Sequence, residues 1–253
     1  MRWATGARVR AEGLTLTTRE GPVYTNVDLT AAPGTLNVFR AESGGGRSAL
    51  LLSLTGRMFP TSGDLQVDGF TLPGQARKVR RISSLGLMED VNALEERLRV
   101  REHLTEAVML RSLPARSGLV DQALAAADVP DIDRRRLVKD LTTLERKRLG
   151  IALALLDEPR LLAVDDVDEG LDATHQGHVW HTLIQLAGKG LTIVATCADA
   201  GALEQASSPL VQGPLPIRQD PTAPSPRPSR ARPRGLLRRD DRGRGDRAEA
   251  DRA

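Results

Sequence analysis

Aromatic side chains make up only 2% of the 253 residues, so any core has to be built from Leu, Val, Ile and Ala. A single cysteine, Cys197, excludes an internal disulfide framework and suits a reducing compartment. No run approaches the ~20 apolar residues that a membrane-spanning helix needs. The opening MRWATGARVR has no apolar stretch, so no secretory signal is expected there. Lysine is scarce and arginine carries most of the positive charge. At 40% hydrophobic and 27% charged, the composition is that of a soluble globular chain long enough for one large domain.

The formal net charge of +3 is unevenly placed. From Gly213 onward there are 11 Arg against 6 acidic residues, a local +5, which leaves the preceding body at −2. Residues 213–253 are rich in Pro, Arg, Gly and Asp, a composition that predicts a disordered tail, and the body is expected to end near Gln212. The RDDRGRGDR run could touch nucleic acid or anionic lipid. Its acids cancel part of its charge and no aromatics interleave for base stacking, which favours a solubilising tail over a nucleic-acid partner.

Within the body, strand-like and helix-like runs alternate. VRAEGLTLTT, NVDLT, TLNVFR, DLQVDG, RRISSLGLM, RLLAV and LTIVATC read as strands. SALLLSLTG, VREHLTEAVMLRSL, LVDQALAAADV, LERKRLGIALALL and THQGHVWHTLIQLAG read as helices. This alternation predicts an α/β fold with a largely parallel sheet.

Chemistry concentrates in AESGGGRSALLL, residues 41–52. A strand, a glycine-rich turn and a helix N-terminus form a nest of backbone N–H groups that favours a phosphate. The phosphate-loop pattern is G-x-x-x-x-G-K-[ST]. Here Ala41 stands for the first glycine, Gly46 matches the second, Arg47 replaces the lysine and Ser48 keeps the hydroxyl suited to Mg²⁺. Ser43, Gly44, Gly45, Gly46, Arg47, Ser48 and Ala49 are therefore the candidate nucleotide-binding residues. Two acidic pairs compete for the metal role, Asp157-Glu158 and Asp165-Asp166.

Together with the segments that follow, residues 7–212 resemble the ATP-binding cassette (ABC) ATPases, the nucleotide-binding subunits of ABC transporters. TSGDLQVDG, residues 61–69, looks like the turn and strand after the phosphate-loop helix. Residues 82–104 look like the Gln-loop region, with Glu89 in place of glutamine. Leu141, Thr142, Thr143, Leu144 and Glu145 occupy the place of the LSGGQ signature. Cys197 stands in the switch-histidine position. In the family the D-loop aspartate follows the Walker B aspartate by seven positions. Counting back from Asp172 gives Asp165, whereas counting on from Asp157 gives Val164, which is no D-loop. The resemblance thus implies that Asp165 is the Mg²⁺ carboxylate with Ser48 and that Asp157-Glu158 is a decoy.

The resemblance implies a P-loop-type sheet core with an N-terminal antiparallel β subdomain and a helical subdomain over about residues 89–145. It implies ATP and Mg²⁺ as ligands, separate transmembrane subunits and a second cassette as partners, and a cytoplasmic place peripheral to the inner face of the cell membrane. Asp166, Glu89 and Cys197 take the catalytic positions in altered form. Asp166 is one methylene shorter than the family's glutamate, and a thiol is a poorer donor than imidazole. Thr143 and Leu144 replace two signature glycines and would obstruct a phosphate. Binding with slow or absent hydrolysis is expected, with a non-hydrolysing regulatory or structural cassette in a heterodimer as the alternative and a nucleic-acid-associated protein acting through the Arg-rich tail as a weaker one. An adenine-stacking aromatic is missing: Tyr24 reads as a packing residue, while Arg19 could stack instead. His175, His178 and His181 drift around one helix and read as a solvated or partly packed face rather than a metal site.

Overall fold

In the computed structural model, residues 5–42, 44–111 and 117–219 are described. Two sheets divide the work. The first is antiparallel, ordered β2-β1-β4-β5, from β1 (Val9–Thr18), β2 (Gly21–Ala31), β4 (Ser62–Val67) and β5 (Phe70–Leu72). The second is parallel throughout, ordered β6-β7-β8-β3-β9, from β3 (Leu36–Arg40), β6 (Ser83–Leu85), β7 (Leu161–Val164), β8 (Thr192–Cys197) and β9 (Val211–Pro216). The expected α/β fold with a largely parallel sheet and an N-terminal antiparallel unit is the one observed.

Parallel strands need crossovers, which the helices supply. These are α1 (Arg47–Leu54), α2 (Ala76–Ile82), α3 (Glu89–Asn92), α4 (Val100–Leu110), α5 (Ser117–Ala126), α6 (Thr143–Leu155), α7 (Ala173–Gly188) and α8 (Gly201–Gln205). All four residues of β7 and all six of β8 are buried, as expected of strands covered on both faces. One apolar cluster joins α4, α5, α6 and α7 to the sheet. The other joins the antiparallel strands and α1 to the same sheet. Aliphatic side chains dominate both clusters, as the scarcity of aromatics requires. Trp180, Tyr24 and Phe39 are the largest fully buried side chains.

Two boundaries differ from the sequence reading. RRISSLGLM is not one strand: α2 takes it as far as Ile82 and only Ser83–Leu85 pairs with β7. Ala76 and Val79, three residues apart and both buried, give this segment a helical face, which outweighs the short apolar run. The ordered body also passes Gln212, because β9 pairs with β3 and Ile217 is buried beyond it. The rest of the expected tail, residues 220–253, lies outside the described residues. No described helix is long and apolar enough to cross a membrane.

Candidate functional site

The loops after β3, β7 and β8 leave the same, C-terminal edge of the parallel sheet, where α/β folds collect ligand contacts. The β3 loop turns through Gly44 and Gly46, with φ of 76° and 77°. Gly46 cannot be replaced without moving the backbone, since a Cβ there would lie 2.3 Å from the Val23 carbonyl oxygen. A Cβ at Gly44 would meet nothing within 4 Å, so its face is open. Gly46 is also the N-cap of α1 and offers no side chain to cap it. The first-turn N–H groups at Arg47, Ser48 and Ala49 have no acceptor within their own helix and, among the described residues, none outside it, which suits an anion. Ser43 lies outside the described residues.

Asp165 and Asp157 sit at opposite ends of β7. Asp165 follows the strand and is buried. The Ser48 hydroxyl donates to its Oδ2 and the Thr196 hydroxyl to its Oδ1. Asp157 precedes the strand, where it accepts from the Ser84 hydroxyl at 2.6 Å and pairs with Arg111. The phosphate loop therefore meets the second acidic pair, not the first.

Asp166 is held at φ 45°, and its own N–H donates to the hydroxyl of Thr196 in β8 at 2.9 Å. Its carboxylate Oδ1 lies 2.9 Å from Arg47 Nη2, with both side chains largely buried. The N–H vector is misaligned, so this contact is an ion pair rather than a hydrogen bond. Burial, then the neighbouring Asp165, push the Asp166 carboxyl up to about 6, against the pull of Arg47. Arg47 also donates to the Ala41 carbonyl at 3.1 Å. The cation of the phosphate loop is thus folded back over its own loop and onto the carboxylate next to Asp165.

A second cation stands here that sequence reasoning missed. Lys147 reaches in from α6 and its ammonium donates to the Asp166 main-chain carbonyl. Burial lowers its pKa, while the charges of Glu169, Asp166, Asp168 and Asp165 work the other way. In sequence Lys147 is one charge among several on a helix. Only the packing of α6 under the β7 loop gives it this role.

Glu89 opens α3 and, with Gly44, Arg47, Ser48 and Asp165, lines a cleft of ≈ 420 Å³. A neighbouring cleft of ≈ 530 Å³ shares Glu89, Asp165 and Asp166 and adds Thr143, Lys147 and Gly170. Cys197 lines neither cleft. It is fully buried, its Sγ faces the Phe39 carbonyl at 3.9 Å, and burial followed by the Asp168 charge pushes the thiol up to about 12. Asp168 instead fixes the loop after β8 by accepting from the N–H of Ala198 at 3.1 Å and of Asp199 at 2.8 Å.

The signature segment is turned to internal use. Thr142 caps α6: its hydroxyl accepts from the Glu145 N–H at 3.2 Å, and Glu145 Oε2 accepts from the Thr142 N–H at 2.8 Å. This reciprocal pair is a capping box. Glu145 is further paired with Arg136 at 2.8 Å. Partial burial pushes its carboxyl up, but the bonds from Thr142 and Arg136 outweigh this and hold it below its usual range. Leu141 is buried, Leu144 packs on the core, and Thr143 presses against Gly170.

Tyr24 is fully buried and donates to the Ser53 hydroxyl at 2.7 Å, a packing residue with a satisfied phenol. Arg19 is exposed in the β1–β2 turn. His175 pairs with Asp172 at 2.7 Å and meets His178 edge-on at 6.1 Å between ring centres. Among the described residues no three His, Cys, Asp or Glu side chains form a metal-holding group.

Comparison with known proteins gives this geometry a family. The model of the ABC transporter family matches residues 24–168. The daunorubicin resistance ATP-binding protein DrrA3 of Streptomyces coeruleorubidus is 31% identical over 172 residues, 67% of this chain and 54% of its own. The Nod factor export ATP-binding protein I of Neorhizobium galegae is 28% identical over 187 residues, 73% of this chain and 53% of its own. The chain thus spans about half the length of these relatives. Among solved structures, cbiO1 from Clostridium perfringens, part of the ABC transporter complex cbiONQ, aligns with a TM-score of 0.71 at 19% identity, over 85% of this chain and 86% of its own. The ATP-binding cassette MJ0796, solved as a dimer in a post-hydrolysis state with ADP and Pi, aligns with a TM-score of 0.64 at 21% identity, over 77% and 89%. These two likenesses show the fold. The chain belongs to the ABC transporter family, and its fold is that of the family's ATP-binding cassette.

Proposed function

We propose that the chain is an ATP-binding subunit of an ABC transporter that binds Mg²⁺-ATP and hydrolyses it slowly or not at all. The observation that carries this reading is the pairing of Arg47 with Asp166 beside an uncapped helix N-terminus. The first-turn N–H groups at Arg47, Ser48 and Ala49 would supply donors for phosphate oxygens. The Ser48 hydroxyl and the Asp165 carboxylate already touch, and both are hard oxygen donors of the kind Mg²⁺ takes, so they fit that ion and would hold it. Bound there, Mg²⁺ supplies charge neutralisation to the phosphates.

Binding asks Arg47 to exchange Asp166 for a phosphate. A planar guanidinium does this less readily than an ammonium point charge, because it has to satisfy a fixed fork of donors. Hydrolysis asks more. A base has to orient water, and Asp166 is both short and engaged by Arg47. A switch side chain has to reach the γ-phosphate, and Cys197 packs inward. A partner's signature has to cap the phosphate, and the helix end at Thr142 is already capped by Glu145. A second reading is a non-hydrolysing regulatory or structural cassette in a heterodimer, where this chain's own phosphates would meet the partner's signature and the partner's site would face the capped helix end at Thr142. In either case the partners are a second cassette and separate transmembrane subunits, which would hold the chain at the inner face of the cell membrane. Substrate recognition would rest with those subunits.

Steady-state ATP turnover by the full chain tests the reading. The expected rate lies well below ~1 s⁻¹, under ordinary enzyme values. Turnover above that rate, abolished by Ser48→Ala, would show a competent ATPase instead. Turnover restored only by a co-expressed second cassette would favour the regulatory form.

A further inference from the structure

Beyond β9 the chain does not leave the body at once. The Ile217 N–H donates to the Arg40 carbonyl at 2.9 Å, at the end of β3. The Arg218 carbonyl accepts from the Thr25 N–H at 2.8 Å and from the Thr25 hydroxyl at 3.1 Å, on β2. These contacts set Gln219 beside the phosphate loop. Its carboxamide nitrogen donates to the Gly44 carbonyl at 2.7 Å and to the Val23 carbonyl at 3.1 Å. Both partners are carbonyl oxygens, so only the amide nitrogen, with its two hydrogens, can serve them.

The peptide between Gly44 and Gly45 is thereby held at both poles. Its carbonyl goes to Gln219, and its N–H donates to the Glu42 carbonyl at 2.9 Å. The same Val23 carbonyl is the atom against which Gly46 is packed. One side chain from the C-terminal segment therefore ties together β2, the loop and the helix entry. Three consecutive glycines are the freest backbone in the loop, and every residue that phosphate has to order costs backbone entropy. Ordering them before the ligand arrives lowers that cost at the moment of binding.

We propose that Gln219 is a positioning residue of the phosphate loop, by which the C-terminal segment presets the Gly44–Gly45 peptide for nucleotide phosphates. This rests on the nucleotide-binding reading and extends it to a residue outside the motifs of the loop. The test is calorimetry on the full chain with two probes in the presence of Mg²⁺, ATP and inorganic tripolyphosphate. Gln219→Met keeps length and removes both donors. It is expected to weaken both probes by the same factor, about three- to tenfold, the worth of one ordinary hydrogen bond. The amide resonances of Gly44, Gly45 and Gly46 should shift in the free variant while its unfolding midpoint stays in place. Loss of ATP affinity with tripolyphosphate unchanged would place Gln219 at the base and overturn the positioning role. Unchanged binding of both probes, with Ser48→Ala still losing them, would overturn it and leave the nucleotide reading standing. A wild-type chain that binds neither probe would overturn both.

Discussion

Two helix N-termini in this molecule have opposite fates. The start of α1 follows three glycines, carries no side-chain cap and faces an open cleft. The start of α6 carries a complete capping box, reinforced by Arg136. The physical resource is the same in each: unpaired N–H groups and the positive end of a helix dipole. At α1 it is left without a side-chain cap, and the proposed function gives it to a phosphate. At α6 the protein consumes it. A family that uses both ends on one nucleotide, one from each subunit, would find only the first of them on this chain.

The comparison can be broken most forcefully at Gly46. Gly46→Ala puts a Cβ into the Val23 carbonyl at positive φ, and should cost about 2–4 kcal/mol of stability together with nucleotide binding. Chemical denaturation followed by ATP titration checks both. Opening the α6 end is the next largest change. Thr142→Ala removes the cap and should cost about 1 kcal/mol. ATP affinity of the isolated chain should stay the same, since Thr142 lines neither cleft beside Asp165. A fall in affinity would show that the two ends are not separate.

Arg47→Lys sharpens the comparison from the other side. A lysine leaves Asp166 more easily, so ATP affinity should rise by about two- to fivefold, a few tenths to one kcal/mol. Titration of both forms under one salt condition reads this directly. The smallest effect, absent at neutral pH, concerns the core beneath the loop. Burial raises both the Cys197 thiol and the Tyr24 phenol to about 12. The folded state thus favours their neutral forms, and the unfolded chain gives up these protons first. The stability involved is intact below about pH 9 and is lost as pH rises from there towards 12. Cys197→Ala and Tyr24→Phe should each flatten the alkaline limb of a thermal-unfolding profile.

Much of this contrast was open to reading from sequence. Seven positions separate Asp165 from Asp172, the D-loop spacing that the family resemblance implies, and it points to the carboxylate that Ser48 touches. The alternation of runs foretold the parallel sheet because buried strands are apolar throughout. The α6 cap was present in plain sequence as Thr142-x-x-Glu145 before an apolar run, but an alignment to LSGGQ directs attention to missing glycines and away from it. The pairing of Arg47 with Asp166, the approach of Lys147 and the reach of Gln219 had no local signature. Each joins residues far apart in the chain, and neither periodicity nor spacing encodes such a contact.

The most direct measurement is calorimetry of Mg²⁺-ATP with the full chain and with Asp165→Asn. The account predicts sub-millimolar binding by the wild-type chain and its loss in the variant. Absence of binding, or binding indifferent to Asp165, would contradict the claim that the α1 end remains a working phosphate site.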